Sequence, residues 1–282
     1  MACAQRAPVH PTFTSAPRGA AVVPGRPARP ARRLQLHGGR RVTIYLTEDA
    51  GNPNGLLYRW KPPAAALPLG KGVLRTLPGD AGALDAMTAT TLAGAHVPDL
   101  SVATVPGTTY RVAWVTVPDR DARTTSTRKQ LAGGAVTRSR KFEGMWWGDG
   151  GAYVVCSFAR FSDGSAAQHD GQIWFCDPLV QTIELKLRFA YTPADQDGDP
   201  DGPDNITVSA YGGLIIAEDG DGASHLVGST ERGEAFFFAR NEDAAEAEFT
   251  GPTFSHDKKT LFVNVQSPGR VFAIQGPFAK QR

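Results

Sequence analysis

Acidic residues are missing from the start of this chain: none precedes Glu48, while eight arginines stand between Arg6 and Arg41. Cysteine is scarce, with three in 282 residues, and no CxxC or Cys/His pair at zinc spacing occurs. A zinc site is therefore not expected. No apolar run approaches the roughly 18 residues that a membrane-spanning helix needs, so no membrane partner is expected. The formal net charge is only +2, too weak a field to point to nucleic acid. The chain has no GxSxG elbow, Walker loop or dinucleotide fingerprint, so those chemistries have no signature here.

Residues 1–40 are rich in Ala, Pro, Arg and Gly and show no apolar periodicity. That is the composition of a disordered segment, because too little apolar surface is available to offset the entropy of ordering. The pairs Arg32-Arg33 and Arg40-Arg41 invite a twin-arginine export reading. The apolar stretches LQLHGG and VTIYL are shorter than the roughly 7–15-residue apolar region of an export signal. No signal peptide is read, and the compartment stays open. The expected organisation is a disordered segment at 1–40 and a folded domain at 41–282.

What is abundant is turn chemistry: 31 glycines and 21 prolines, as many short strands joined by tight turns require. VTIYLT (42–47) and GLLYRWKP (55–62) read as a hairpin around Gly51-Asn52-Pro53-Asn54. Residues 151–160, 171–178 and 184–191 form a second set of strands. Residues 205–220, 225–230 and 234–241 form a third, and 251–266 with 269–276 a last. Residues 104–117 read as a further strand, and only 77–96 hint at helix. Sets of about 35–50 residues with three or four strands have the size of propeller blades. An all-β fold, an incomplete β-propeller, is expected. Cys156 and Cys176 fall inside strands and read as buried thiols, while Cys3 lies in the disordered start.

The motifs FEGMWW (142–147), PDN (203–205), AEDG (217–220), FARN (238–241), EFTGP (248–252) and LFVNVQSPG (261–269), with YLTEDAGNPNGLLYRW (45–60), follow one another in order. This constellation resembles the PhoX family of bacterial alkaline phosphatases over residues 41–282. The resemblance implies metal-dependent phosphomonoester hydrolysis, with calcium and iron held by carboxylates near a propeller axis and a small phosphomonoester as substrate. It implies Glu48, Glu143, Glu218 and Glu248 as metal ligands. Asn205 would touch metal or phosphate, and Arg240 would clamp phosphate bidentately. Asp219 alternates to the opposite side of its strand from Glu218, so at most one of the two is expected to face the axis. Family members carry a TPWGT-like segment and further acidic ligands before this pattern begins, so the expectation is an N-terminally truncated member. A non-catalytic propeller scaffold and a calcium-dependent lactonase are the alternatives.

Two further motifs read as structural. DQDGDPDGPDN (195–205) opens like an EF-hand, but its glycine is displaced from position 6 and Ile206 replaces the closing Glu, so a solvated loop is expected. His169-Asp170, followed by glycine, reads as a turn.

Overall fold

The computed structural model describes residues 5–6, 34–37, 41–67, 73–79, 81–159, 169–190, 199–220, 223–242, 247–276 and 278. Strands dominate. β1 (Gln5–Arg6) and β2 (Leu34–His37) precede the hairpin of β3 (Arg41–Thr47) and β4 (Gly55–Lys61). β5 (Ala83–Thr90), the short β6 (His96–Val97), β7 (Thr109–Thr116) and the short β8 (Arg138–Ser139) follow. Then come three antiparallel meanders. The first comprises β9 (Phe142–Gly148), β10 (Gly151–Ala159), β11 (His169–Asp177) and β12 (Thr182–Ala190). The second is β13 (Pro203–Val208), β14 (Leu214–Glu218), β15 (His225–Ser229) and β16 (Ala235–Arg240). The third is β17 (Phe249–Phe254), β18 (Thr260–Val265) and β19 (Arg270–Gln275), with β1 added along the free edge of β19. The first meander continues through a β12–β7 pairing into β5, β4, β3 and β2, making one large sheet.

The meanders stack face to face, and the alternation of side chains in β14 explains how. Ile216 packs with Val155, Ile173, Leu187 and Phe189 of the first meander. Its neighbours Ile215 and Ala217 point the other way, onto Phe249, Leu261 and Val263 of the third. A strand buried on both faces reads as an unbroken apolar run, which is why LIIA shows no polar alternation. Each such side chain contributes on the order of 1.5–3 kcal/mol by leaving water. The stacking also brings the first strands together, with β13 lying against β9 on one side and β17 on the other. The chain is all-β, as expected, and its first meander continues into one large sheet.

Two expectations are corrected. The described residues of 77–96 are not helical: Ala83–Thr90 is β5, paired with β4 and β7. The helix formers Ala and Met are overridden by burial between two strands, with Ala86, Met87 and Ala89 all inaccessible. His169-Asp170 is not a turn but the start of β11. The His169 ring is buried, its Nδ1 accepting from the Gly171 amide at 3.1 Å and its Nε2 donating to the Ser101 carbonyl at 3.2 Å. With both nitrogens engaged it serves the fold rather than proton transfer.

Cys156 and Cys176 are free and buried, as expected. They lie on paired strands but in different rows, Cys156 opposite Gln172 and Cys176 opposite Ala152. Of the segment expected to be disordered, 1–40, only Gln5–Arg6 and Leu34–His37 are described, and Asp195 to Gly198 of the EF-hand-like run also fall outside the described residues.

Candidate active site

The three first strands share an irregularity. Between the pairs Met145–Val154 and Phe142–Cys156, β9 spends two residues, Glu143 and Gly144, against one on β10. In β13 the pairs Pro203–Glu218 and Asn205–Ala217 leave Asp204 as an extra residue. In β17, Gly251 and Pro252 face the single Val263. A bulge re-aims the side chain it inserts. Here two of the three inserted segments carry a carboxylate, on strands that lie side by side.

Glycine sets how closely those strands approach. A Cβ on Gly144 would come within 2.5 Å of the Asp204 carbonyl oxygen and 2.7 Å of the Asn205 Cα, so only glycine fits against β13 there. The loop between β3 and β4 delivers the next acid in the same manner. Gly55 passes so close to the Glu48 carbonyl that a Cβ would lie 1.9 Å from its oxygen, and its amide donates to the Ala50 carbonyl at 3.0 Å. This tight crossing presents Asp49.

Glu143, Asp204, Asp49, Asp219 and Lys141 form one electrostatic group. Burial, then the charges of Asp204 and Asp49, push the Glu143 carboxyl far above the usual carboxylate range, against the opposing pull of Lys141. Burial and the Asp219 charge likewise raise Asp204, which accepts a hydrogen bond from the Glu143 carboxyl. The Lys141 ammonium stands 3.3 Å from Glu143 Oε1. Burial alone would lower its pKa, but Glu143, Asp49 and Asp219 hold it above the ordinary lysine value. Among the described residues these four carboxyls share one ammonium and carry a surplus of negative charge in a desolvated place.

The residues singled out in the sequence are distributed unevenly around this group. Glu143 is a member. Glu48 and Glu218 are fully buried beside it but turned into the protein, and the adjacent Asp49 and Asp219 face the group in their stead. Glu48 Oε2 accepts from Tyr58 Oη at 2.7 Å, and Arg128 Nη1 lies 3.5 Å from Oε1. Glu218 Oε2 accepts from the His225 amide and ring Nδ1, both at 2.8 Å, and Oε1 from the Asp201 amide at 3.0 Å. Glu248 precedes β17, where its carbonyl accepts from the Gln266 amide at 3.0 Å.

Asn205 is a tie between meanders. Its Oδ1 accepts from Thr250 Oγ1 at 2.8 Å and the Gly251 amide at 2.7 Å, while its Nδ2 donates to Asp204 Oδ2 at 2.6 Å. It thereby clamps the Asp204 bulge to the β17 bulge. Arg240 ends the outermost strand of its sheet, in the row running from Pro203 through Glu218 and His225. Three strand spacings put it about 14 Å outward from β13, where its Nε meets Glu242 Oε1 at 3.4 Å on the surface.

Sequence reasoning missed Asp49, Asp204 and Lys141 and ranked Glu218 above Asp219. The available signal was the doublet itself. In AEDG the buried glutamate ends β14, in LTED it follows the last residue of β3, and in both the aspartate is the first residue beyond it that is not buried.

Among the described residues no three His, Cys, Asp or Glu side chains already stand close enough to enclose a metal ion. The donor chemistry nonetheless fits a hard cation: the group consists of carboxylate oxygens, which calcium takes in sixes to eights. Nothing in it selects iron. Among the described residues no helix is long and apolar enough to cross a membrane.

The family described as alkaline phosphatase PhoX matches residues 8–269 of this chain. Comparison with curated proteins gives no match.

Proposed function

We propose that this chain, which belongs to the alkaline phosphatase PhoX family, is a metal-dependent phosphomonoester hydrolase centred on Asp49, Glu143, Asp204 and Asp219. The observation that carries the reading is the convergence of four carboxyls from three separate parts of the fold, with Lys141 as their one ammonium. Repulsion strong enough to keep a proton on Glu143 is a cost to folding that the binding of a cation would relieve.

The four carboxylates would hold calcium. The ion's contribution when bound is positive charge placed against the phosphoryl oxygens of the substrate. Lys141 would meet a phosphate oxygen as a point charge. Asn205 keeps the two bulges in register, so that the carboxylates are preorganised rather than gathered at the moment of reaction. Gly144 keeps side-chain bulk out of the space between β9 and β13. Arg240, on the outer strand, has no part in this centre. Iron, implied by the family likeness, has no donor of its own in this set.

The test is direct. The purified chain, supplied with calcium and iron, is assayed on p-nitrophenyl phosphate at alkaline pH beside Asp204→Asn and a chelated sample. The reading requires turnover by the loaded wild type and its loss in the other two. Equal, background-level rates in all three would refute it.

A further inference from the structure

We infer that Glu48 and Glu218 are positioning residues, each anchoring the end of a buried segment so that the aspartate after it is presented to the carboxyl group, Asp49 toward Glu143 and Asp219 toward Asp204. The inference rests on the reading of that group as a cation-binding phosphatase centre, and it assigns the two glutamates a place outside the coordination shell.

The two sites repeat one arrangement on unrelated parts of the chain. At the first, Glu48 is 2% exposed and accepts from Tyr58 Oη at 2.7 Å, with Arg128 at 3.5 Å on its other oxygen. Tyr58 stands on β4, and its Oη also accepts from Thr127 Oγ1 at 3.1 Å, so strand and loop are tied through the one hydroxyl. At the second, Glu218 is 1% exposed and accepts from the Asp201 amide, the His225 amide and His225 Nδ1. Those donors come from before β13 and from the start of β15, on opposite sides of β14.

A carboxylate whose lone pairs already accept from buried protein donors has little left to offer an ion, and taking it away would leave those donors unsatisfied. Its neighbour is in the reverse situation. The Asp219 amide donates to the Gly202 carbonyl at 2.8 Å, and the Glu218 carbonyl accepts from Ser224 Oγ at 3.2 Å. The peptide between the two residues is thus held from both sides while the Asp219 carboxylate acts on Asp204 and Lys141. Consecutive Cα atoms are 3.8 Å apart, so fixing one side chain and the intervening peptide leaves the next side chain a narrow range of directions. Partners that orient ligands in this way typically influence metal affinity by about 10–100-fold.

The experiment is calorimetric calcium titration of the full-length chain, paired with amide hydrogen exchange. Asp219→Asn and Asp49→Asn should lose calcium binding by more than about 100-fold. Glu218→Gln and Glu48→Gln, which keep an acceptor oxygen, should lose about 3–10-fold, and Glu218→Ala about 10–100-fold. In Glu218→Ala the amides of Asp201 and His225 should exchange at least about tenfold faster, while in Asp219→Asn they should be unchanged. Should Glu218→Ala fail to fold, Glu218→Gln and Tyr58→Phe carry the same comparison. The inference is overturned if Glu218→Gln loses as much calcium binding as Asp219→Asn with exchange unaltered, since Glu218 would then be a ligand. A wild type that binds no calcium overturns the centre itself and this inference with it. Normal wild-type binding with the wrong ranking overturns the inference alone.

Discussion

Glu143 and Asp204 are joined carboxyl to carboxyl across two neighbouring first strands, each supplied by a residue that a β-bulge inserts. Two acids brought together away from water cannot both ionise cheaply, so Glu143 keeps its proton and donates it to Asp204.

That relationship sets the pH dependence of stability without metal. Both carboxyls are raised in the folded state. The folded chain therefore holds protons that the unfolded chain releases above about pH 4.5. Stability must then fall as pH rises from that range through the raised values. In chelator, the melting temperature should be highest near pH 5 and decline toward pH 9. Glu143→Gln should flatten the decline, raising the melting temperature at pH 9 by about 2–4 °C for each ~1 kcal/mol of repulsion removed. Calcium should flatten it for the wild type and have little effect on the variant. Scanning fluorimetry across pH with and without calcium measures all three.

Asp85 behaves in the opposite sense. Burial would raise it, but hydrogen bonds from Lys61, Arg59 and Thr116 outweigh burial and hold the carboxyl below its ordinary value. Lys61 Nζ lies at 2.8 Å and Arg59 Nε at 3.0 Å from a carboxylate that is 2% exposed. A depressed pKa contributes stability above the unfolded value and loses it as pH falls through the folded one. Asp85→Asn should cost about 1.5–3 kcal/mol at pH 7, the range for charged hydrogen bonds. It should also show a smaller loss of stability than wild type between pH 4 and pH 2. Urea melts at several pH values provide the check.

Gly144 tests the strand approach. Glycine→alanine there forces β9 away from the backbone of β13, where a side chain cannot simply rotate aside. Gly144→Ala should destabilise by about 1–3 kcal/mol, as overpacking does. Hydrolysis should fall further than the lost folded fraction explains, because Glu143 and Asp204 are separated. Activity per folded molecule, normalised by circular dichroism, distinguishes the two contributions.

The thiols should be silent. Burial pushes Cys176 up to about 12 and Cys156 higher still, and a thiol without thiolate does not react. Ellman's reagent should leave both untouched at pH 8 in the native protein and modify them on unfolding. Rapid native modification of either would contradict the burial described.

The strand pattern was readable because side-chain alternation and turn residues are local. The hairpin of β3 and β4, the meanders and the buried cysteines all follow from spacing of that kind. The segment Ala83–Thr90 was not readable, because ALDAMTAT has helix-forming composition and its strand state comes from β4 and β7 on either side. Glu143 was identified from its motif. Asp204 was passed over for Asn205, since a bulge is a mismatch between two strands and one strand's sequence does not show it.

What the chain by itself determined is that Glu218 and Asp219, at the end of an apolar run, point opposite ways. Which member turns inward was decided only by the tertiary structure. Tyr58, Arg128, Asp201 and His225, distant along the chain, supply the donors that capture the glutamates. A buried carboxylate goes where its hydrogen bonds are, and the position of those donors exists only once the sheets have packed.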